Sequence, residues 1–212
     1  MKKTGGAGEF TAMSRRAAAQ VQASYSTSFG LATRLLPGGI REDIQALYAV
    51  VRIADEIVDA PEARPRAEEL LGSYEASVRE ALGKAAVGCG LVSADPVLHA
   101  FARSAQRCGF TGQQLGAFFQ SMRADLKPRS FSPDELEQYI YGSAEVIGEM
   151  CVQAFTRAPG YELAEMDAEL VAGARRLGTG FQRVNFLRDL AFDRLVLGRD
   201  YLPWVVDNPT KN

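Results

Sequence analysis

Apolar residues recur at three- and four-residue spacing along most of the chain, which is the pattern of helices with one buried face. In the clearest segment, apolar side chains follow this spacing from Ile40 to Val58, between Pro37 and Pro61. Helices are predicted over residues 39–60, 64–83, 96–108, 112–126, 132–156 and 162–195. No long strand-like alternation interrupts these segments. The pattern therefore predicts an all-α protein.

Glycine, proline and capping residues divide the predicted helices from one another. Residues 84–94 read as a loop, and Ser132-Pro133 followed by two acidic residues is typical of a helix start. The expected organisation is a disordered, glycine-rich tail over residues 1–12, a single domain over 13–203 and a short tail over 204–212.

Composition and charge narrow the classes of function. The 212 residues carry 24 Lys+Arg against 26 Asp+Glu, a formal net charge of −2, so nucleic acid is not an expected partner. Cys89, Cys108 and Cys151 are too few for a disulfide framework, and His99 is the single histidine. Neither a signal peptide nor a membrane span is recognisable, so we expect a cytoplasmic protein that a hydrophobic substrate could hold at a membrane surface.

The predicted helix over 39–60 contains the first candidate site. Asp55 and Asp59 are separated by four residues, so both carboxylates project from one face of the helix. Arg52 and Tyr48 lie on the preceding turns of the same face. A single pair of aspartates at this spacing is usually a solvated surface, and alone it indicates little.

The last long helix contains a second, similar stripe. Asn185, Asp189 and Asp193 follow one another at four-residue intervals, and Gln182 lies about one turn before them. Arg188 is adjacent to the central aspartate. Two helices of this kind facing each other would present hard oxygen ligands to Mg²⁺, which is commonly shared between carboxylates and substrate phosphates. The two stripes together favour metal-assisted departure of a diphosphate from an apolar substrate.

Four stretches carry a resemblance to a known family: YSTSF from Tyr25, YAVVRIADEIVD from Tyr48, YIYGSAEVIG from Tyr139, and QRVNFLRDLAFDRLVLGRDYLP from Gln182. The chain resembles the squalene/phytoene synthases, and among them the phytoene synthases most. The resemblance implies the helical bundle of the isoprenoid synthases, with a central cavity. Family members usually continue beyond the GRDYLP motif, so C-terminal helices are expected to be missing here.

The resemblance also implies roles for individual residues. The catalytic residues would be Asp55, Asp59, Asp189, Asp193 and Tyr141. The ligands of the metal would be Asp55, Asp59, Asn185, Asp189 and Asp193. The diphosphate would be bound by Ser26, Ser28, Tyr48, Arg52, Gln182, Asn185 and Arg188. Gly142 and Ala144 are expected to leave room for prenyl chains along the cavity wall, and Asp125 is left open between a structural and a functional role.

The implied reaction joins two identical prenyl diphosphates head to head and depends on Mg²⁺, with Mn²⁺ as a substitute. Geranylgeranyl diphosphate would give phytoene through a cyclopropylcarbinyl diphosphate. The runner-up is squalene or dehydrosqualene formation from farnesyl diphosphate, and only squalene requires NADPH. A different class of function, a non-catalytic family member or an inactive truncated fragment, stays open. The oligomeric state is not indicated.

Overall fold

The computed structural model describes residues 7–26, 28–60, 63–157, 160 and 166–205. These residues form nine α-helices and a single pair of two-residue parallel strands, which confirms the predicted all-α class. The helices are α1 (Ala7–Tyr25), α2 (Ser28–Thr33), α3 (Gly38–Asp59), α4 (Ala67–Ala86), α5 (Pro96–Cys108), α6 (Gly112–Ala124), α7 (Pro133–Ile140), α8 (Val146–Thr156) and α9 (Ala168–Phe192); the strands are β1 (Arg129–Ser130) and β2 (Arg199–Asp200).

Helix α3 lies at the centre of the fold and is the element predicted over residues 39–60. Nine of its residues are buried, and it packs against α1, α4, α5, α6 and α8. Leu47 and Val50 contribute to a core that also contains Phe101, Phe118 and Phe119 from α5 and α6. This packing on several sides makes α3 a rigid support for the carboxylates near its C-terminal end.

The other predicted helices are present with shifted ends. Helix α5 has the predicted bounds, whereas α4 continues to Ala86, so the predicted loop over 84–94 is helical in its first residues. The segment predicted over 132–156 starts with a capping box between Ser132 and Glu135, but a π-helical turn over Tyr141–Glu145 divides it into α7 and α8. The last helix begins at Ala168, and residues 161–165 lie outside the described residues.

The expected disordered tail over residues 1–12 is wrong from Ala7 onward, because α1 begins there. Helix α1 packs against α5, where Phe10 meets the ring of the buried His99 edge-on, with 5.0 Å between centroids. Thr11 Oγ1 lies 3.0 Å from His99 Nε2. These tertiary contacts hold the first turns of α1 against α5, and the alanine-rich composition of the helix favours it as well. Residues 1–6 and 206–212 lie outside the described residues.

Helix α9 packs closely on one side only. A Cβ atom on Gly178 would lie 2.7 Å from the Ala144 carbonyl oxygen, so the absence of a side chain permits the close approach of α9 to the π-helical turn. Gly142 has the same function against α6, because a Cβ there would lie 2.2 Å from the Ala117 oxygen. The expectation that Gly142 leaves space for a prenyl chain is therefore wrong.

No helix in the described part of the chain is long and apolar enough to span a membrane.

Candidate active site

A cavity of about 210 Å³ is lined by residues of α3, α6, α7 and α9 and by the segment around β2. Its walls carry five aspartates together with two arginines: Asp55, Asp59, Asp125, Asp189, Asp193, Arg188 and Arg199. The two acidic stripes that the sequence singled out thus face one shared cavity. The excess of carboxylates over guanidinium groups makes this cavity attractive to cations.

Seven of the predicted site residues line the cavity: Asp55, Asp59, Gln182, Asn185, Arg188, Asp189 and Asp193. The other predicted residues lie elsewhere. Tyr141 begins the π-helical turn and packs against the main core, where the Arg175 guanidinium carbon lies 5.6 Å from its ring centroid. Ser28 is the first residue of α2, and its side chain lies outside what the structure describes. The assigned roles of both residues stay predictions.

Three further predicted residues, Ser26, Tyr48 and Arg52, do not line the cavity but lie in an adjacent cluster with two aromatic rings, where Ser26 Oγ accepts a hydrogen bond from Phe29 N at 3.2 Å. The Arg52 guanidinium carbon lies 4.5 Å from the Tyr25 ring centroid, and the Tyr48 ring stacks on Phe29 at 5.6 Å. Arg52 also pairs with Glu56 on the same helix. Its Nε atom is buried and has no hydrogen-bond partner within the described ranges, so this guanidinium retains a free donor for an anion.

The cavity carboxyl groups affect one another electrostatically. Burial, and after it the charge of Asp59, raises the pKa of Asp55 to about 8, although the positive charge of Arg52 opposes this. Burial and the neighbouring Asp189 raise the pKa of Asp193 to about 6. Burial is the larger cause of both shifts and the neighbouring carboxylate adds to it, so a bound divalent cation, which favours the ionised form, would oppose both.

A buried network that the sequence analysis did not predict adjoins the first acidic stripe. Arg199 Nη1 donates to Asp59 Oδ1 at 2.6 Å, and Arg199 Nη2 donates to the Val58 carbonyl oxygen at 2.7 Å. The phenols of Tyr139 and Tyr201 both donate to Asp125, at 2.7 and 2.6 Å. Burial raises the pKa of Asp125 to about 6, against the opposing effects of Arg199, Tyr201 and Tyr139.

Three residues of this network lie in stretches that were matched to the family, and the fourth, Asp125, had been left open between a structural and a functional role. Tyr139 is the first residue of the stretch YIYGSAEVIG. Arg199 and Tyr201 lie within the GRDYLP stretch, which the sequence analysis matched to the family without assigning a role to either residue. Asp125 follows α6 as an isolated acid, and no spacing relates it to the two stripes. Its place in the network depends on the proximity of segments that are distant in the chain.

The donor set fits Mg²⁺ shared with a diphosphate better than a closed protein cage. Among the residues described, no three carboxylate, imidazole or thiol groups converge closely enough to hold a metal ion by themselves. Mg²⁺ typically takes one or two carboxylates and completes its octahedron with water and phosphate oxygens. The Ser143 hydroxyl lines the same cavity, is buried and lacks a hydrogen-bond partner in the described part of the chain, as expected where a polar ligand binds.

The fold and the site define an all-α protein in which two aspartate-bearing helices enclose an acidic cavity. The family model of squalene/phytoene synthases matches residues 22–205, and the chain belongs to this family of enzymes, which condense prenyl diphosphates head to head. This assignment confirms the resemblance seen in the four sequence stretches.

Individual relatives agree with the family assignment. The chain is 31% identical over 185 residues to phytoene synthase 2, chloroplastic, of Solanum lycopersicum, and 30% identical over 185 residues to 15-cis-phytoene synthase of Paracoccus sp.. These alignments cover 87% and 84% of the chain but 56% of each relative, so the curated relatives are considerably longer. A crystal structure of a dehydrosqualene synthase in complex with ligand superposes with a TM-score of 0.70 at 25% identity, over 87% of this chain and 59% of that one.

Proposed function

We propose that the protein condenses two identical prenyl diphosphates head to head, with geranylgeranyl diphosphate as substrate and phytoene as product. The observation that carries this proposal is the meeting of both predicted acidic stripes in one cavity. The similarity to phytoene synthases of Solanum lycopersicum and Paracoccus sp. supports geranylgeranyl diphosphate as the substrate. The reaction would proceed through a cyclopropylcarbinyl diphosphate, which is then ionised and rearranged.

Different cavity residues would bind the metal ion and the phosphate oxygens at the polar end of the substrate. Mg²⁺, with Mn²⁺ as a substitute, would neutralise the charge of the departing diphosphate. Its ligands would come from the set Asp55, Asp59, Asn185, Asp189 and Asp193. The Arg188 side chain is largely exposed at the cavity, so its guanidinium can donate hydrogen bonds to phosphate oxygens. The Gln182 amide, about one turn before Asn185, can donate a further one.

Apolar and aromatic groups beside the carboxylates suit the hydrocarbon end of the substrate. Val51, Val58, Met122 and Phe186 also line the cavity. Loss of diphosphate leaves an allylic carbocation, which the face of an aromatic ring can stabilise. Phytoene forms when the final carbocation loses a proton, and the departed diphosphate can accept it, so a histidine base is not required.

Farnesyl diphosphate is the alternative substrate, and dehydrosqualene or squalene would then be the product. The similarity in fold and sequence to a dehydrosqualene synthase favours this alternative. Only squalene formation would consume NADPH, because it includes a reduction of the final carbocation.

A product assay distinguishes these functions. The purified 212-residue chain is incubated with geranylgeranyl or farnesyl diphosphate and Mg²⁺, with or without NADPH, and the extracted hydrocarbons are separated by chromatography. We expect phytoene from geranylgeranyl diphosphate without a reductant. If neither phytoene nor its cyclopropylcarbinyl precursor forms, the preferred substrate is wrong. A chain that melts cooperatively but converts neither substrate would be a non-catalytic member of the family.

A further inference from the structure

The proposed reaction assigns no role to Arg199, although its guanidinium donates two hydrogen bonds to the end of α3. Arg199 is 4% exposed, and its two terminal nitrogens bind the Asp59 carboxylate and the adjacent Val58 carbonyl. The planar guanidinium offers its donors in a fixed geometry. Binding two neighbouring acceptors therefore fixes the direction of the Asp59 side chain as well as compensating its charge.

A second layer of residues holds Arg199 in place. Its Nε atom lies 3.9 Å from Asp125 Oδ1 and has no hydrogen-bond partner in the described ranges. Asp125 is 5% exposed and accepts a hydrogen bond from each of the phenols of Tyr139 and Tyr201. A buried charge is stable only when it is paired and hydrogen-bonded, so these three residues make the buried position of Arg199 tenable.

The backbone of Arg199 is fixed as well. It is the first residue of β2, whose pairing with β1 includes the hydrogen bond from Arg129 N to Gly198 O at 3.0 Å. Gly198 has a φ of 71°, a left-handed conformation that favours glycine, and it connects the π-helical turn over Asp193–Leu197 to β2. Arg199 is thus held at its main chain and at its guanidinium before any ligand binds.

We propose that Arg199 is a positioning residue that orients the Asp59 carboxylate toward a divalent cation, and that Asp125, Tyr139 and Tyr201 hold Arg199 for this task. The inference rests on the proposed function, in which Asp59 is a ligand of that cation. The opposite possibility is that Arg199 only occupies Asp59 as a counter-charge that a metal must displace. The two roles differ in sign, because losing a competitor strengthens cation binding and losing a support weakens it.

Isothermal titration calorimetry on the 212-residue chain, with Mn²⁺ and inorganic pyrophosphate as the probe, measures whether loss of Arg199 weakens or strengthens cation binding. Arg199→Gln should weaken Mn²⁺ binding by about 10–100-fold, the usual effect of removing a residue that supports a metal ligand. Arg199→Lys keeps the positive charge but lacks the planar group that donates to two neighbouring acceptors. Its affinity for Mn²⁺ should therefore stay below that of the wild type. Unchanged or tighter binding by Arg199→Gln, or full affinity in Arg199→Lys, would overturn the inference.

A matched control separates this role from a general loss of stability. Arg107 on α5 pairs with the buried Asp43, which lies on α3 as Asp59 does but away from the cavity. Arg107→Gln should lower the melting temperature and leave the Mn²⁺ affinity unchanged. An equal loss of affinity in Arg107→Gln and Arg199→Gln would mean that Arg199 acts only through stability.

A milder variant decides the matter if Arg199→Gln fails to fold. Tyr201→Phe keeps the ring that stacks on Phe131 and Phe186 but removes one hydrogen bond to Asp125. It should weaken Mn²⁺ binding by about tenfold. Its control is Tyr74→Phe, which removes a phenol that donates to the Val50 carbonyl of α3.

The same titrations separate this inference from the function on which it rests. A wild type that does not bind Mn²⁺ with pyrophosphate would contradict the proposed metal site itself. A wild type that binds, combined with a Tyr201→Phe variant of equal affinity, would contradict only the role of the Arg199 network.

Discussion

Helices α3 and α9 present aspartates to the same cavity, but the rest of the protein surrounds them very differently. Nine of the 22 residues of α3 are buried, whereas Phe186 is the one buried residue among the 25 of α9. The α9 side chains Phe181, Val184 and Leu187 are 60–64% exposed. The same pattern of acids at four-residue spacing therefore occurs on one helix fixed from many sides and on another packed along one side.

The difference extends to the charges. Asp59 on α3 pairs with the buried Arg199, while Asp189 on α9 pairs with the adjacent, largely exposed Arg188. An arginine that is itself held in place restrains its partner, and an exposed one is free to exchange the carboxylate for another anion. The comparison indicates a preorganised half of the site on α3 and an adaptable half on α9.

The largest expected effect is a loss of turnover. Substitutions in the α3 half and in the α9 half of the site should reduce turnover equally. Asp55→Ala and Asp189→Ala each remove a carboxylate that would hold the catalytic cation, and a loss of several kcal/mol in transition-state stabilisation is expected. That corresponds to roughly a thousandfold lower kcat/KM. Steady-state product formation measures it, with the exposed Asp134→Ala as control. Near-normal turnover in either variant would contradict the metal assignment.

Stability should separate the helices where turnover does not. Leu47→Ala on α3 empties a site that is 2% exposed and should cost about 2–5 kcal/mol in the free energy of unfolding. Leu187→Ala on α9 removes the same atoms from a site that is 60% exposed and should change it by less than about 0.5 kcal/mol. Urea denaturation compares the two. Equal losses would mean that α9 is covered in solution.

Two glycines of α9 test whether its packing is confined to one side. Gly178→Ala places a methyl group against the Ala144 backbone and should destabilise the protein by about 1–3 kcal/mol. Gly180→Ala meets no atom within 4 Å and should stabilise by up to about 1 kcal/mol through helix propensity. Thermal melts of both variants, compared with that of the wild type, show whether each substitution stabilises or destabilises the protein. Destabilisation by Gly180→Ala would reveal a contact on the open side.

The smallest expected effect is a pH dependence of stability without metal. The pKa of Asp55 is raised to about 8 in the folded protein and is about 3.9 when unfolded, so the folded state binds more protons between these values. The free energy of unfolding therefore falls as pH rises through 8. In EDTA, the Tm of Asp55→Asn relative to that of the wild type should rise between pH 5 and pH 8. The expected rise is at least about 2–4 °C, the shift that about 1 kcal/mol produces.

Addition of Mg²⁺ with pyrophosphate should reduce this difference, since a bound cation favours the ionised carboxylate. The conservative change to asparagine keeps the size of the side chain and serves as its own steric control. A constant difference in Tm from pH 5 to pH 8 would mean that Asp55 is ionised throughout.

The sequence predicted the elements of the site well because helical spacing reports directly on which side chains share a face. Asp55 with Asp59, and Asn185 with Asp189, could be placed on common faces before the fold was known. The predicted ends of α5 agree with the structure, in which Asp95 caps the start of the helix and Gly109 its end. Helices α1 and α2 were not predicted, since no helix was assigned before residue 39. The first turns of α1 contact His99 on a distant helix, and no local pattern reports such a contact.

What the sequence by itself determined is the class of fold and the two acidic stripes, because both follow from spacing within single helices. Only the tertiary structure decided that the stripes share a cavity, that Arg199 and Asp125 join it, and that Tyr48 and Arg52 lie in an adjacent cluster. Asp59 and Arg199 are 140 residues apart in the chain. Contacts at that separation depend on how the helices pack, and no local pattern of residues encodes them.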